Sequence, residues 1–201
     1  MLIVDALDVD INGTPILRDI GLEIQTGEIV GLIGRNGAGK TTFLRSVMGL
    51  LPINAGTIDF DDQPLQSLPG HRRAHLRIGY LPEDRRLVPE MTAEENILVP
   101  VWSTNIRGYE ERLNWIYKII PECEKFRAMA ANALSGGQQK LVALGRAWMR
   151  GQMVLTLDEP TEGTAPVLAQ RRGEILASLK TEGVSIIIAE SNDAHVANVI
   201  D

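Results

Sequence analysis

The stretch Gly34-Arg35-Asn36-Gly37-Ala38-Gly39-Lys40-Thr41 decides the fold, because it fits the pattern G-x-x-x-x-G-K-[ST]. The short apolar run at residues 28–33 before it predicts a buried strand. Residues 42–51 after it carry apolar side chains at helical spacing. A strand, a glycine-rich loop and a helix in this order predict a phosphate-binding loop. In such a loop backbone N–H groups and the helix N-terminus face phosphate oxygens. Lys40 would reach the outer phosphates, and the hydroxyl of Thr41 would bind Mg²⁺.

Composition limits the class of protein. A length of 201 residues provides one domain, or one domain with an inserted lobe. The single cysteine, Cys123, excludes an internal disulfide framework and fits a reducing compartment. A net charge of −6 and an aromatic content of 4% argue against nucleic acid as a partner. The N-terminus lacks a signal peptide and no apolar run approaches a membrane span, so we expect a soluble protein that meets a membrane only through a partner.

Short apolar runs along the chain predict an α/β fold. Residues 2–11 and 16–24 predict two strands joined by a turn at Asn12-Gly13, so a small antiparallel sheet precedes the phosphate loop. Strands are also predicted at residues 57–60, 78–81, 153–157 and 184–189, with a helix at residues 166–180. Strands that alternate with helices indicate a mainly parallel sheet. The sequence therefore predicts a P-loop NTPase core with an N-terminal antiparallel β subdomain.

Residues 92–150 contain helical patterns and no clear strand, which predicts an inserted helical subdomain. We expect a single domain over residues 1–201, with the nucleotide-binding core and antiparallel β subdomain at residues 1–82 and 151–201 and the helical subdomain at residues 83–150.

Three local features carry further expectations. Thr92 and Glu95 match a capping box. Residues 64–77 predict a short helix whose basic cluster forms a solvated face. The tryptophans are expected to pack in the core or in the helical subdomain, and they are Trp102, Trp115 and Trp148.

Two carboxylates, Asp158 and Glu159, follow the predicted strand at residues 153–157. The C-terminal ends of parallel strands are where open α/β sheets bind ligands. The first carboxylate is suited to hold Mg²⁺, directly or through water. The second is suited to orient or deprotonate a water molecule.

The stretch Leu134-Ser135-Gly136-Gly137-Gln138-Gln139 precedes a predicted helix from Lys140 to Met149. Ser135 suits the N-cap position, and the two glycines leave backbone N–H groups bare, so the stretch predicts a second anion-binding helix start. One nucleotide already has its phosphates in the loop at residues 34–41. We therefore expect the second helix start to face a nucleotide held by another copy of the chain.

The order of phosphate loop, Leu-Ser-Gly-Gly-Gln signature and acidic strand end resembles the ATP-binding-cassette (ABC) ATPases over essentially the whole chain. Residues 80–96, which begin Tyr80-Leu81-Pro82-Glu83, look most like the ATPases of branched-chain amino acid importers. Residues 158–166, with Glu162-Gly163-Thr164-Ala165-Pro166, point the same way.

The resemblance implies ATP and Mg²⁺ as ligands. The phosphates would be held by Gly34, Arg35, Asn36, Gly37, Ala38, Gly39, Lys40, Thr41 and Thr42. The γ-phosphate of the opposite subunit's ATP would be contacted by Ser135, Gly136, Gly137 and Gln138. Mg²⁺ would be bound by Thr41, Glu83 and Asp158. Glu159 would be the general base, and Lys40 and Ser191 would complete the catalytic group.

The resemblance also implies an ATPase that powers uptake of branched-chain or related amino acids. Its partners would be a second ABC ATPase subunit, transmembrane permease subunits and an extracytoplasmic solute-binding protein. The chain would lie in the cytoplasm, peripheral on the inner face of the cell membrane.

Four features depart from the family pattern. Ile11 stands where an aromatic residue usually stacks on adenine, so a ring–ring contribution of about 0.5–1.5 kcal/mol is lost. Glu83 stands where Gln is common, as it often does in branched-chain importer ATPases. Ser191 replaces a His expected near the γ-phosphate, and His195 is a weaker alternative to it. The chain also ends at Asp201, before the family's usual closing strands.

Other functions stay open at this point. Within transport, the chain could serve a lipid or polysaccharide exporter or a urea-type importer. A soluble cassette acting on ribosomes or DNA is disfavoured by the single cassette and the acidic charge. A small-molecule kinase leaves the signature stretch unexplained. A cassette that binds ATP but barely hydrolyses it is suggested by Ile11 and Ser191.

Overall fold

The computed structural model describes residues 1–160, 166–192, 197 and 200. Its strands are β1 (Leu2–Ile11), β2 (Thr14–Ile24), β3 (Ile29–Ile33), β4 (Ala55–Phe60), β5 (Gln63–Pro64), β6 (Ile78–Leu81), β7 (Val154–Asp158) and β8 (Ser185–Glu190). Its α-helices are α1 (Lys40–Val47), α2 (Gly70–Arg73), α3 (Ala93–Thr104), α4 (Tyr109–Ile119), α5 (Pro121–Lys125), α6 (Gly136–Arg150) and α7 (Pro166–Thr181). Short 3₁₀ turns lie at Leu65–Ser67, Ala74–Leu76 and Ala131–Ala133.

A parallel sheet with the strand order β3-β8-β7-β6 forms the core. Every residue of β7 and β8 is buried, as expected for apolar strands covered on both faces. The register pairs Leu32 with Ala189 and Leu157 with Ile188, so the carboxyl ends of these strands meet at one edge. The phosphate loop and the Asp158–Glu159 pair both lie at this edge.

An antiparallel sheet with the order β2-β1-β4-β5 packs against α1. Leu17 of β2 and Ile58 of β4 share one apolar core with Phe43 and Leu44 of α1. Gly56 has a φ of +88°, and a Cβ there would lie 2.4 Å from the carbonyl oxygen of Ala6. Only glycine therefore lets β4 approach β1 this closely.

Helices α3 to α6 lie between β6 and β7 in the chain and share the second apolar core. The predicted capping box is confirmed, since Thr92 and Glu95 exchange side-chain-to-backbone hydrogen bonds. The predicted α/β class is also confirmed, with its parallel core, antiparallel sheet and inserted helices. The exact domain boundaries stay a prediction. Within the part of the chain that the structure describes, none of the helices has the length and apolarity to cross a membrane.

The segment at residues 64–77 differs from its prediction. In place of one helix it contains two 3₁₀ turns around the four-residue α2. Arg73 does not lie on a solvated face, because its side chain is buried and donates hydrogen bonds to the carbonyl oxygens of Ser46 (2.7 Å), Val47 (2.8 Å) and Leu68 (3.0 Å). The carbonyl oxygen of Ser46 also accepts from the N–H of Gly49 at 3.0 Å, so the guanidinium supplies additional donors to the carbonyls at the C-terminus of α1.

The packing predicted for the tryptophans holds for two of them. Trp148 is fully buried, and its ring centroid lies 3.7 Å from that of Trp115 in an edge-to-face contact. Trp102 is 55% exposed, so the prediction is wrong for this residue. The buried face of α3 is set by Ile97 and Val101, and Trp102 lies about 100° away from Val101 around the helix.

Candidate nucleotide-binding site

The phosphate loop connects β3 to α1 at the carboxyl edge of the parallel sheet. Gly34 N–H donates to the carbonyl oxygen of Glu190 on β8, which fixes the start of the loop (3.2 Å). Gly39 is the N-cap of α1 with a φ of +94° and no side-chain cap, so N–H groups of the first turn stay available to a ligand. The adjoining cavity has a volume of about 390 Å³. Its lining residues are Ile16, Asn36, Gly37, Gly39, Lys40, Thr41, Thr42, Glu83 and Glu159.

The ammonium group of Lys40 lies inside this loop. Its Nζ atom donates to the carbonyl oxygen of Gly34 at 2.6 Å and lies 3.1 Å from Oε1 of Glu159. The Lys40 and Glu159 side chains are only 9% and 8% exposed. The structure thus brings together the predicted phosphate-binding lysine and the predicted general base.

Asp158 is buried at the end of β7 and is held by two hydroxyl groups. Thr41 Oγ1 donates to its Oδ1 atom at 3.0 Å, and the Tyr80 hydroxyl lies 3.4 Å from Oδ2. Burial raises the pKa of Asp158 above its ordinary value, the Thr41 hydrogen bond opposes this shift, and the negative charge of Glu83 adds to it. Burial, followed by the charge of Asp158, also raises the pKa of Tyr80 to about 12.

These residues fit a magnesium ion. Thr41 and Glu83 present oxygen atoms at the cavity, and Asp158 lies directly behind Thr41 in hydrogen-bond contact with it. Among the described residues no group of three or more His, Cys, Asp or Glu side chains is arranged to hold a metal alone. Mg²⁺ commonly takes one or two protein oxygens and completes its shell with phosphates and water. A buried carboxylate such as Asp158, held by neutral hydroxyl donors, therefore suits Mg²⁺ that arrives with a nucleotide.

Glu159 follows β7 in a left-handed conformation with a φ of +46°. Its N–H donates to the carbonyl oxygen of Ala189 at 2.9 Å, and the N–H of Ser191 donates to its Oε2 atom at 3.2 Å. Lys140 of α6 donates to its carbonyl oxygen at 2.9 Å. The predicted base is therefore held at its backbone and at its carboxylate. Ser191 meets it through the backbone N–H.

The signature stretch caps α6, as the sequence predicts. The Ser135 side chain accepts from the N–H of Gln138, and the Gln138 side chain accepts from the N–H of Ser135. Arg85 donates to the carbonyl oxygen of Gly136 at 3.3 Å. Ser135, Gly136, Gly137 and Gln138 do not line the cavity that contains Lys40. Within one chain the two predicted phosphate sites stay apart.

Two residues near the cavity were not predicted. Ile16 of β2 lines it, whereas the predicted adenine contact Ile11 is half-buried at the end of β1 and does not. Tyr80, which contacts Asp158, also escaped prediction as a site residue. The position of Tyr80 near the end of β6 could have predicted this contact, because β6 pairs with β7 in parallel and the ends of neighbouring parallel strands lie at one edge of the sheet. His195 and residues 161–165, including most of the Glu162–Pro166 stretch, lie outside the described residues.

Comparisons with known proteins agree with this site. The sequence model of the ABC transporter family matches residues 17–162. The chain is 34% identical over 185 residues to the high-affinity branched-chain amino acid transport ATP-binding protein BraG of Pseudomonas aeruginosa, covering 92% of this chain and 79% of BraG. It is 32% identical over 182 residues to the lipopolysaccharide export system ATP-binding protein LptB of Escherichia coli, covering 90% of this chain and 76% of LptB.

A solved structure gives the same result at the level of the fold. The ADP conformation of MJ1267, an ATP-binding cassette of an ABC transporter, superimposes with a TM-score of 0.86 at 26% identity. The match covers 100% of this chain and 85% of MJ1267. With the phosphate loop, the acidic strand end and the capped signature helix all in place, the chain belongs to the ABC transporter family and is an ATPase domain of that family.

Proposed function

We propose that the chain is the ATP-binding and ATP-hydrolysing subunit of a transporter that takes up branched-chain or related amino acids. The observation that carries the hydrolytic part is the cavity lined by Lys40, Thr41 and Glu159, beside which Asp158 accepts a hydrogen bond from Thr41. The similarity to BraG over 92% of the chain supports the amino acid substrate. The LptB similarity supports a second candidate, export of a lipid or polysaccharide.

The chain's own residues explain how ATP is held. The loop at residues 34–42 offers backbone N–H groups and the positive end of α1 to the phosphates. Lys40 exchanges its carbonyl and carboxylate partners for phosphate oxygens. Thr41, Asp158 and Glu83 would hold Mg²⁺, which would supply positive charge to neutralise the phosphates.

Glu159 is the proposed general base. Its carboxylate lines the phosphate cavity and accepts a hydrogen bond from the N–H of Ser191, which orients it. Once Lys40 turns to the phosphates, the carboxylate is free to accept a proton from the attacking water. The oxygen of that water forms the new bond to the γ-phosphorus, and the bond from this phosphorus to the β,γ-bridging oxygen breaks. The products are ADP and inorganic phosphate.

The signature helix is the proposed contact with a second copy or a close relative. Ser135 and Gly136 are exposed and lie outside the cavity of their own chain. A capped helix start with bare N–H groups is suited to an anion. In a head-to-tail dimer each signature would close on the nucleotide of the other subunit, so ATP would hold the dimer together and hydrolysis would release it.

A groove between β6, α3 and α6 is the proposed contact with the permease. Its volume is about 320 Å³, and it combines apolar residues such as Leu50, Val99 and Pro100 with the three arginines Arg86, Arg146 and Arg150. Leu50 is 53% exposed. Such a groove suits an amphipathic cytoplasmic segment with acidic residues. Through the permease the chain would lie at the inner face of the membrane, with a solute-binding protein on the outer side.

Two variants test the hydrolytic part. Lys40→Ala is expected to abolish ATP binding in a titration. Glu159→Gln is expected to keep binding, to lower hydrolysis by about 10²–10⁴-fold and to trap an ATP-bound dimer in gel filtration. Parent-like affinity in the first variant, or parent-like turnover in the second, would contradict the corresponding role.

Transport assays separate the two candidate substrates. In the source organism, a chromosomal Glu159→Gln replacement is expected to lower uptake of labelled leucine, isoleucine and valine. Normal uptake together with a defect in lipid or polysaccharide export would contradict the importer and support the second candidate.

A further inference from the structure

Lys140 links the signature helix to the proposed general base. It lies five residues after Ser135 on α6, about 7.5 Å further along the helix axis. Its Nζ atom donates to the carbonyl oxygen of Glu159 at 2.9 Å in a partly buried contact. A hydrogen bond from a charged donor is stronger than one between neutral groups. One helix therefore carries both the predicted contact with a second nucleotide and a contact with Glu159.

The backbone of Glu159 needs such support. A φ of +46° is uncommon for a residue other than glycine, and the next residue is Pro160, which restricts Glu159 further. A conformation of this kind persists only where the surrounding structure holds it. The N–H of Glu159 is fixed by Ala189, and its carbonyl oxygen is fixed by Lys140.

We propose that Lys140 is a positioning residue for ATP hydrolysis, which fixes the backbone of Glu159 so that its carboxylate faces the attacking water. This inference rests on the proposed role of Glu159 as the base. Lys140 does not line the phosphate cavity, and its hydrogen bond reaches the site through the backbone of Glu159.

The contact also lies on the helix that Ser135 caps. The first turn of α6 is fixed by the Ser135 capping box and by Gln139, whose Nε2 atom donates to the carbonyl oxygen of Ala131 at 2.9 Å. Lys140 and the capped start of the helix therefore belong to the same rigid element, which runs from the predicted contact with the partner's nucleotide to the backbone of the proposed base.

Three substitutions at Lys140 test the inference. Lys140→Met removes the donor, Lys140→Gln keeps a neutral donor, and Lys140→Arg keeps a charged one. In steady-state ATPase assays we expect the Met variant to lower kcat at least about tenfold with KM changed less than about twofold. The Gln variant should be intermediate, and the Arg variant should restore at least about half of kcat. Lys125→Met, on the exposed face of α5, is the matched control and should keep the parent kcat.

Two further readouts separate positioning from a role in folding or closure. ATP-driven dimerisation of Lys140→Met in a Glu159→Gln background should equal that of Glu159→Gln alone, because the nucleotide contacts are unchanged. Loss of that dimer, parent-like kcat in Lys140→Met, or losses of kcat that simply follow losses of Tm across the three variants would each overturn the inference. Parent-like turnover in Glu159→Gln would instead overturn the proposed base, which keeps the two failures distinct.

Discussion

The Nζ atom of Lys40 lies 3.1 Å from Oε1 of Glu159, and both side chains are less than a tenth exposed. A phosphate group and the Glu159 carboxylate are both anions that the Lys40 ammonium can pair with. If Lys40 binds a phosphate of ATP, as proposed, ATP binding separates this ion pair and frees the carboxylate for its proposed role as a base.

The ion pair predicts a gain in affinity when its negative charge is removed. Glu159→Gln keeps the size of the side chain but replaces a charge-assisted contact with a weaker neutral one. ATP then has a weaker contact to break before its phosphates can pair with Lys40. We therefore expect ATP binding to single subunits to tighten by about three- to tenfold, or about 0.7–1.4 kcal/mol. Calorimetric titration at protein concentrations too low for dimerisation measures this change.

The control for this prediction is Glu110→Gln, which removes one charge from an exposed position on α4. It should leave the affinity unchanged. Equal or weaker ATP binding in Glu159→Gln would show that the ion pair does not compete with phosphate.

The raised pKa of Asp158 predicts opposite effects on stability and on binding. At pH values between the ordinary and the raised pKa, the folded state keeps a proton that the unfolded chain has released. The free energy of unfolding therefore falls as the pH rises through this window. Asp158→Asn preserves the shape and can still accept from Thr41. It should remove this pH dependence and raise the stability of the nucleotide-free protein at neutral pH by about 0.5–2 kcal/mol.

The same variant should weaken ATP binding in the presence of Mg²⁺ and change it little in the presence of EDTA, because a carboxylate is a better Mg²⁺ ligand than an amide. Denaturant unfolding between pH 4 and pH 8 and paired titrations measure the two effects. Asp62→Asn, at an exposed turn, serves as the control. A variant that loses stability and keeps its response to Mg²⁺ would refute both assignments.

Gly39 predicts a steric cost that its neighbour Gly37 does not share. A Cβ at Gly39 would lie 2.7 Å from Cδ2 of Leu17, whereas a Cβ at Gly37 would have no atom within 4 Å. Both glycines have positive φ, so alanine pays about 1–2 kcal/mol at either position. Gly39→Ala adds an overpacking cost of about 1–3 kcal/mol.

Denaturant unfolding without nucleotide should therefore show Gly39→Ala to be less stable than Gly37→Ala by at least about 1 kcal/mol. The comparison cancels the shared backbone cost and isolates the contact between the phosphate loop and β2. Equal stabilities would mean that Leu17 moves aside without cost.

The local motifs were predictable because each carries its chemistry in consecutive residues. The glycines before Lys40 predict the loop, Ser135 predicts a helix cap, and the apolar run before Asp158 predicts a buried strand. In each case the pattern and the structure it produces lie within one turn or one strand. The fold class followed from the alternation of these elements.

Contacts between distant segments were not predictable in the same way. The hydrogen bond from Lys140 to Glu159 spans 19 residues and that from Arg73 to Ser46 spans 27, and neither leaves a periodic pattern. Basic side chains on a short helix look the same in sequence whether they face solvent or the end of another helix. Burial decides between them, and burial is a property of the assembled fold.

The hairpin of β1 and β2 gives the last prediction, which concerns adenine. Ile11 pairs with Thr14 across the turn and is half-buried, and Ile16 lines the phosphate cavity. The two side chains are therefore expected to contact different parts of the nucleotide, Ile16 the phosphates and Ile11 the base. If the base lies over Ile11, as the family resemblance implies, the Ile11→Tyr variant should gain a stacking contribution of about 0.5–1.5 kcal/mol. ATP affinity should then rise about two- to tenfold, while affinity for inorganic triphosphate, which has no base, should stay constant.

Ile16→Ala should instead weaken binding of both ligands, because this side chain packs beside Gly39 in the loop. Competition titrations with the two ligands distinguish the positions, and an Ile11→Tyr variant with unchanged ATP affinity would place the base elsewhere.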